Sequence, residues 1–198
     1  MRLFVLAFLL WLGSGPGMAE PVGTVVRLQG AASAGEAALA AGSPVEGGVR
    51  LRTGDGARME IRFVDGTLLT LGAGTELVVE SFAYNAAERH GDASLRIDGP
   101  FLLASGGIAA LPDKPLRVAT PVAVIGIRGT RFWGGPLDNP LDVLLLDGAI
   151  RVTTPGGSVD LLQPMEGTDV RSAGAPPSPP GRWGAERVGA AFRSVAFE

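Results

Sequence analysis

Beyond residue 20, apolar and polar residues alternate mostly with a period of two, and a helical spacing appears only near the C-terminus. The clearest case is Ala57 to Phe63. Ala57, Met59, Ile61 and Phe63 are apolar, while Arg58, Glu60 and Arg62 are charged. This alternation predicts a strand with one face buried. Asp65-Gly66 then predicts a hairpin of the two-residue type, in which both central residues take positive φ. Thr67 to Leu71 is the returning strand. Gly72-Ala73-Gly74 turns into Thr75 to Glu80, with Leu77 and Val79 inward. Upstream, Val22 to Leu28 and Val49 to Thr53 read as strands. Ser81 to Asp92 is more polar and reads as a loop or edge hairpin. Ser94 to Asp98 alternates again, Phe101 to Ala104 is apolar, and Leu111 to Lys114 connects them to the next strand. Leu141 to Leu146 and Ala149 to Thr153 flank Asp147-Gly148, which reads as a second hairpin. Ser158 to Leu162 and Met165 to Val170 close the series. Short strands broken by Gly turns at about eight to twelve residues indicate an all-β sandwich, barrel or solenoid.

The longest β-prone stretch is Leu116 to Trp133, LRVATPVAVIGIRGTRFW. Its β-branched residues suit a pleated surface. Val122 to Ile127 is unbroken apolar sequence, which predicts a strand covered on both faces. Charge returns at Arg128-Gly129-Thr130-Arg131. One reading makes this the corner of a core strand, with Gly129 present for its backbone freedom. The other makes Arg128 and Thr130 a recognition or locking element, with Arg128 and Arg131 pairing with acidic groups.

The two ends of the chain differ from the middle. Met1 to Ala19 has a basic start, the apolar core Leu3 to Leu12 and small residues before position 20. It reads as a secretory signal peptide, too short for a membrane span. Ser172 to Gly184 holds Pro176, Pro177, Pro179 and Pro180 and predicts an extended linker. Ala185 to Phe197 is the exception to the β pattern. Val188, Ala191, Phe192 and Val195 fall at i, i+3, i+4 and i+7, which predicts a short amphipathic helix. Such a helix either docks on its own domain or binds a partner, with Trp183 as its anchor. The linker favours the second reading, in which truncation before Ala185 leaves the β domain folded.

Composition then narrows the chemistry. The chain has 198 residues, 30 of them Gly and 15 Pro, and a net charge of -3. That charge gives no basic surface for nucleic acid. No Cys is present, which excludes disulfides, thiol nucleophiles and Cys-held metals. His90 is the single His. Asp138 and Asp142 flank Asn139 and suit either a hard cation or plain solvation. No nucleotide, hydrolase, zinc or calcium motif is present, so no cofactor and no enzymatic activity are expected.

Three segments carry a resemblance. ATPVAVIGIRGTRF, the upstream LRTGDGARMEIRFVDGTLLTLGAGTEL and the downstream VLLLDGAIRV are similar to segments of the FecR domain family, periplasmic modules of the ferric-citrate-regulator type. The matches run from about Val22 to Val170. The resemblance implies a two-layered, solenoid-like β fold, with a plain β-sandwich as the alternative, and a strand pair with a variable hairpin over Ala31 to Ala41. It also implies a role in envelope signalling through contact with another protein. Full regulators of the family carry a cytoplasmic segment and a membrane span. Here a signal-like segment leads into the β domain, so the module and its contact role carry over and direct sigma-factor control does not. The expected layout is a signal peptide over 1–19, a β domain over 22–170, a linker over 172–184 and a helical tail over 185–198. The expected contact residues are Thr120, Arg128, Gly129, Thr130, Arg131, Trp183 and Phe192. A second reading, a carbohydrate- or peptidoglycan-binding module, requires exposed aromatic platforms, for which Trp133, Trp183, Tyr84 and Phe82 are the candidates.

Overall fold

In the computed structural model, residues 20–112 and 116–198 are described. The signal-peptide reading of 1–19 and part of the 111–114 connection lie outside them. The all-β expectation holds, with 53% of residues in strands and 7% in helix. The first strands are β1 (Gly23–Gln29), β2 (Ala32–Ala34), β3 (Ala37–Ala38), β4 (Pro44–Val45) and β5 (Arg50–Thr53). Next come β6 (Arg58–Phe63), β7 (Leu68–Leu71), β8 (Glu76–Asn85), β9 (His90–Asp98) and β10 (Phe101–Ala104). A 3-10 turn over Gly107–Ala110 precedes β11 (Leu116–Ala119), β12 (Val124–Gly135) and β13 (Leu141–Thr154). The chain ends with β14 (Gly157–Leu161), β15 (Glu166–Val170), β16 (Gly181–Arg182) and the helix α1 (Ala185–Arg193). The strand pair predicted within 31–41 is present as β2 and β3, and the polar stretch 81–92 is the tip of the β8–β9 hairpin.

All sixteen strands form one sheet, and it curls. The path runs β3-β2-β5-β8-β9-β11-β12-β10-β7-β6-β1-β4. β12 belongs to both halves. Its first part pairs with β11 and its last part with β10, while β13 runs beside its whole length. The halves meet over one core. Phe63 of β6 stacks on Phe82 of β8 at 4.6 Å, and Phe101 meets Phe132 edge to face at 5.6 Å. Inward residues of both halves, among them Met59, Ile61, Leu69, Leu95, Ile125 and Val152, form a single buried cluster.

The organising stretch differs from its prediction in two ways. It is two strands joined by a turn, with the Thr120 hydroxyl donating to the carbonyl of Ala123 and accepting from the amides of Val122 and Ala123. Thr-Pro is therefore a turn signal, set by the hydroxyl and by the fixed φ of Pro121. The region covered on both faces lies further on. Val124 is 44% exposed and 124–128 alternates, whereas Phe132 and Trp133 are both buried, on opposite faces. The run is apolar because Gly126 and Ala123 are small, not because both faces are covered.

Both Asp-Gly predictions also change. Asp65-Gly66 does close a hairpin, but only Gly66 has positive φ (87°), in a three-residue loop whose Gly66 amide donates to the carbonyl of Phe63. Asp147-Gly148 closes no hairpin, since β13 runs straight through it. Gly148 (φ 84°) lies opposite Gly129 (φ 64°), where the β12–β13 register shifts between Arg128 and Arg131. A left-handed glycine serves a bulge as well as a turn. Paired bulges bend the two long strands together, so one ribbon can serve both halves of the curl.

The C-terminal segment is not a detached tail. Ser178 accepts from the Thr168 hydroxyl through its carbonyl (2.7 Å) and from the Asp169 amide through its hydroxyl (3.0 Å). Gly181 and Arg182 add β16 to β15, and the Trp183 amide donates to the carbonyl of Met165 (3.0 Å). α1 then lies on the outer face of the second half-sheet. Its Ala191 and the following Val195 join Trp133, Leu144 and Trp183 in a second, smaller core. Among the described residues no helix is long and apolar enough to cross a membrane.

Candidate functional site

The residues Arg128 to Arg131 form the corner at which the β12–β13 ribbon bends. Thr130 points inward and is 5% exposed. Its hydroxyl donates to the carbonyl of Ala149 across the ribbon (2.8 Å), and its amide donates to the Ser105 hydroxyl (2.8 Å). The Ser105 amide returns a bond to the Thr130 carbonyl (2.9 Å). Thr130 is thus the lock of the locking-element reading, binding β12 to β13 and to the loop after β10. That loop is fixed in turn by Asp65, whose carboxylate accepts from the amides of Thr67 (2.8 Å) and Ile108 (3.0 Å). With Thr130 inward, the side chains of Arg128 and Arg131 are presented outward from a braced backbone.

Both arginines are exposed and neither forms one of the described ion pairs, although Asp147 lies opposite Arg131 across the ribbon and the charge of Arg128 acts on Asp160. Six other arginines of the described residues are paired, five of them on the outer surface. Arg151 makes a bidentate contact with Asp160 (2.7 and 2.6 Å), Arg96 pairs with Glu80, Arg117 with Asp92 (3.2 Å), and Arg50 and Arg52 share Glu76. Hydrogen bonding from Arg151 holds the Asp160 carboxyl below its ordinary value, aided by the charge of Arg128. The Ser94 hydroxyl, then Arg96, do the same for Glu80. Arg128 and Arg131 are two exposed guanidiniums on a braced corner, an arrangement suited to carboxylates of another molecule.

The other expected contact residues lie elsewhere. Thr120 shapes its own turn, and Trp183 is 7% exposed. Trp183 packs edge to face with Trp133 at 6.1 Å, beneath the guanidinium of Arg187, 3.9 Å from its ring centre. It anchors the helix to the chain's own domain and is not free for a partner. Phe192 is half-buried on the same helix. The aromatic platform reading loses Trp133 and Trp183, both buried, while Tyr84 and Phe82 are half-buried.

A cluster not anticipated from the sequence clamps α1. Arg187 reaches Asp169 (2.6 Å), Asp142 (3.0 Å) and Asp138 (3.5 Å). Asp142 is fully buried and also accepts from the amides of Leu137, Asp138 and Asn139 and from the Asn139 side chain. These bonds account for the Asp138-Asn139-Asp142 pattern. It folds its own loop and receives an arginine, and among the described residues no group of three or more potential ligands is placed for a metal. The signal for Arg187 was present but faint: it sits four residues after Trp183 and four before Ala191, one row of a helix.

The family profile described as FecR protein matches residues 49–151. No curated protein matches the chain. Two crystal structures of a proposed anti-sigma factor from Parabacteroides distasonis ATCC 8503 are similar in fold. One has a TM-score of 0.56 at 19% identity, covering 71% of this chain and 63% of that one. The other has a TM-score of 0.57 at 20% identity, covering 71% and 62%. This chain thus spans less than two thirds of those proteins. The matched segment includes the corner, its Ser105 brace and both long strands up to Arg151, and on that match the chain belongs to the FecR family.

Proposed function

We propose that the chain is a periplasmic, non-catalytic binding module that takes part in envelope signalling by engaging a protein partner through the Arg128–Arg131 corner. Family membership supports the signalling role, and the proposed anti-sigma activity of the two structural neighbours is in keeping with it. The observation that carries the contact site is the pair of exposed arginines, neither in an ion pair, presented from a backbone fixed by Thr130. The signal-like segment 1–19 supports export to the periplasm. The partner surface is acidic, because exposed guanidiniums gain most from carboxylates that they bind in place of water.

The test is fractionation of cells expressing the full gene with a C-terminal tag, followed by photocrosslinking from position 128 and, as a control, from position 46. Recovery of processed protein from the periplasm, with one protein captured from 128 and not from 46, is the expected result. Retention of the unprocessed chain in the cytoplasm, or equal capture from both positions, contradicts the reading.

A further inference from the structure

The outer face of the second half-sheet carries an apolar strip that the C-terminal segment covers, with Leu137 packed at its edge. Leu102, Trp133 and Leu144 lie side by side through strand pairing, with Leu146 beside them. Along the strands the strip is bounded by charge. Asp142 pairs with Gly135 at one margin, close to Asp138 and Asp169. Arg131, two residues before Trp133 and on the same face, forms the other margin. All four apolar residues fall within the family match at 49–151, as does Leu137, whereas Trp183, Val188, Ala191 and Val195 fall outside it. The cover is fastened by side chains as well as by apolar contact: the Trp133 indole donates to the Ser194 hydroxyl (3.0 Å) and Arg58 to the Arg193 carbonyl (3.2 Å). α1 has nine residues and no side-chain cap at its N-terminus, and so is too short to be helical alone. Trp183 before α1, Arg187 and Ala191 within it and Val195 after it are spaced four residues apart, and a proline-rich tether leads to the helix.

We propose that this strip is a groove for a helix of the protein partner, and that α1 is an intrachain occupant which that helix displaces. The covering segment displays the chemistry that fits: an amphipathic helix with an aromatic at its start, an arginine one turn on for the three aspartates, and small or apolar residues further down the same face. The partner's helix differs from α1 in bearing a carboxylate on the flank that meets Arg131. This inference rests on the reading that the chain engages a protein, and it adds the place and the kind of segment.

The probe is a fluorescent synthetic peptide of residues 181–198, added to the full mature chain. Two variants loosen the cover from different points. Arg187→Ala removes the clamp. Gly167→Ala puts a Cβ 2.2 Å from Nε1 of Trp183 and 2.7 Å from the Val143 carbonyl, so it pushes on the cover and on the β13–β15 pairing beneath it. Each is expected to make the 172–184 segment protease-sensitive and to bind the peptide at least about tenfold tighter than wild type does, whereas a peptide with Trp183→Ala does not bind. A folded variant with a protease-sensitive tether and no peptide binding overturns the proposal, as does unchanged behaviour in both variants. Photocrosslinking in cells from position 102 of the Arg187→Ala chain separates the two readings. Capture from 128 but not from 102 removes the groove and leaves the corner, and capture from neither removes the partner reading itself.

Discussion

Gly129 and Gly148 are both in left-handed backbone, yet they differ in what surrounds them. A Cβ at Gly129 meets nothing within 4 Å, so Gly129→Ala carries only the conformational cost, about 1–2 kcal/mol. A Cβ at Gly148 would lie 1.9 Å from the Gly129 carbonyl oxygen, so Gly148→Ala forces the ribbon apart and costs about 3 kcal/mol or more. Chemical denaturation of the two variants is expected to rank them in that order, and equal losses would show that φ alone governs the corner. Thr130→Val keeps the shape and strands the Ala149 carbonyl, at about 1–3 kcal/mol. Acid titration reads the surface pairs. Glu80, Asp160 and Glu166 are all held below their ordinary values, Glu166 by the amides of Leu162 and Gln163. A carboxyl with a depressed folded value contributes stability above its unfolded value and loses it as the pH falls through the folded one. Stability is therefore expected to decline on the acid side of the carboxylate range, and a chain with Glu80→Gln, Asp160→Asn and Glu166→Gln to decline less steeply.

At the level of elements, the helix and its tether decide how the C-terminal segment behaves. Truncation before Ala185 uncovers part of the strip around Trp133 and Leu144 while leaving the β domain folded. The truncated chain is expected to melt well below the full chain but still in one cooperative step, since the main core lies between the half-sheets. Trp183→Ala is expected to cost about 3–5 kcal/mol, and calorimetric melting of the truncated and substituted chains checks both outcomes. Secondary structure was largely legible here because alternation, turn residues and helical spacing are local signals. Asp65-Gly66 and Asp147-Gly148 show where local reading stops. The same dipeptide closes a hairpin in one place and bends a strand in the other, and only the partner strand, with its own glycine opposite, distinguishes them. The docking of α1 was hidden for a related reason: Asp138, Asp142 and Asp169 are separated in sequence from Arg187, and no spacing rule joins them.

For the whole molecule, the corner and the strip lie on one ribbon. Arg131 borders both, so a partner that lays a helix along Trp133 also reaches the exposed guanidinium. The three FecR-like segments identified the family from sequence, and each coincides with structure that needs particular residues: the Thr120 turn and Gly129 bulge in the first, the β6–β7 hairpin in the second and the Gly148 bulge in the third. The division of the four central motif residues into Thr130 as a lock and Arg128 and Arg131 as presented charges required the strand faces. The most direct measurement is in-cell capture of the partner by the exported chain carrying Arg128→Glu and Arg131→Glu together, against wild type at equal abundance. The variant is expected to fold and be exported normally but to capture the partner at least about tenfold less, the effect of reversing charges that face an acidic surface. Undiminished capture by a folded, exported variant would contradict a partner contact at this corner.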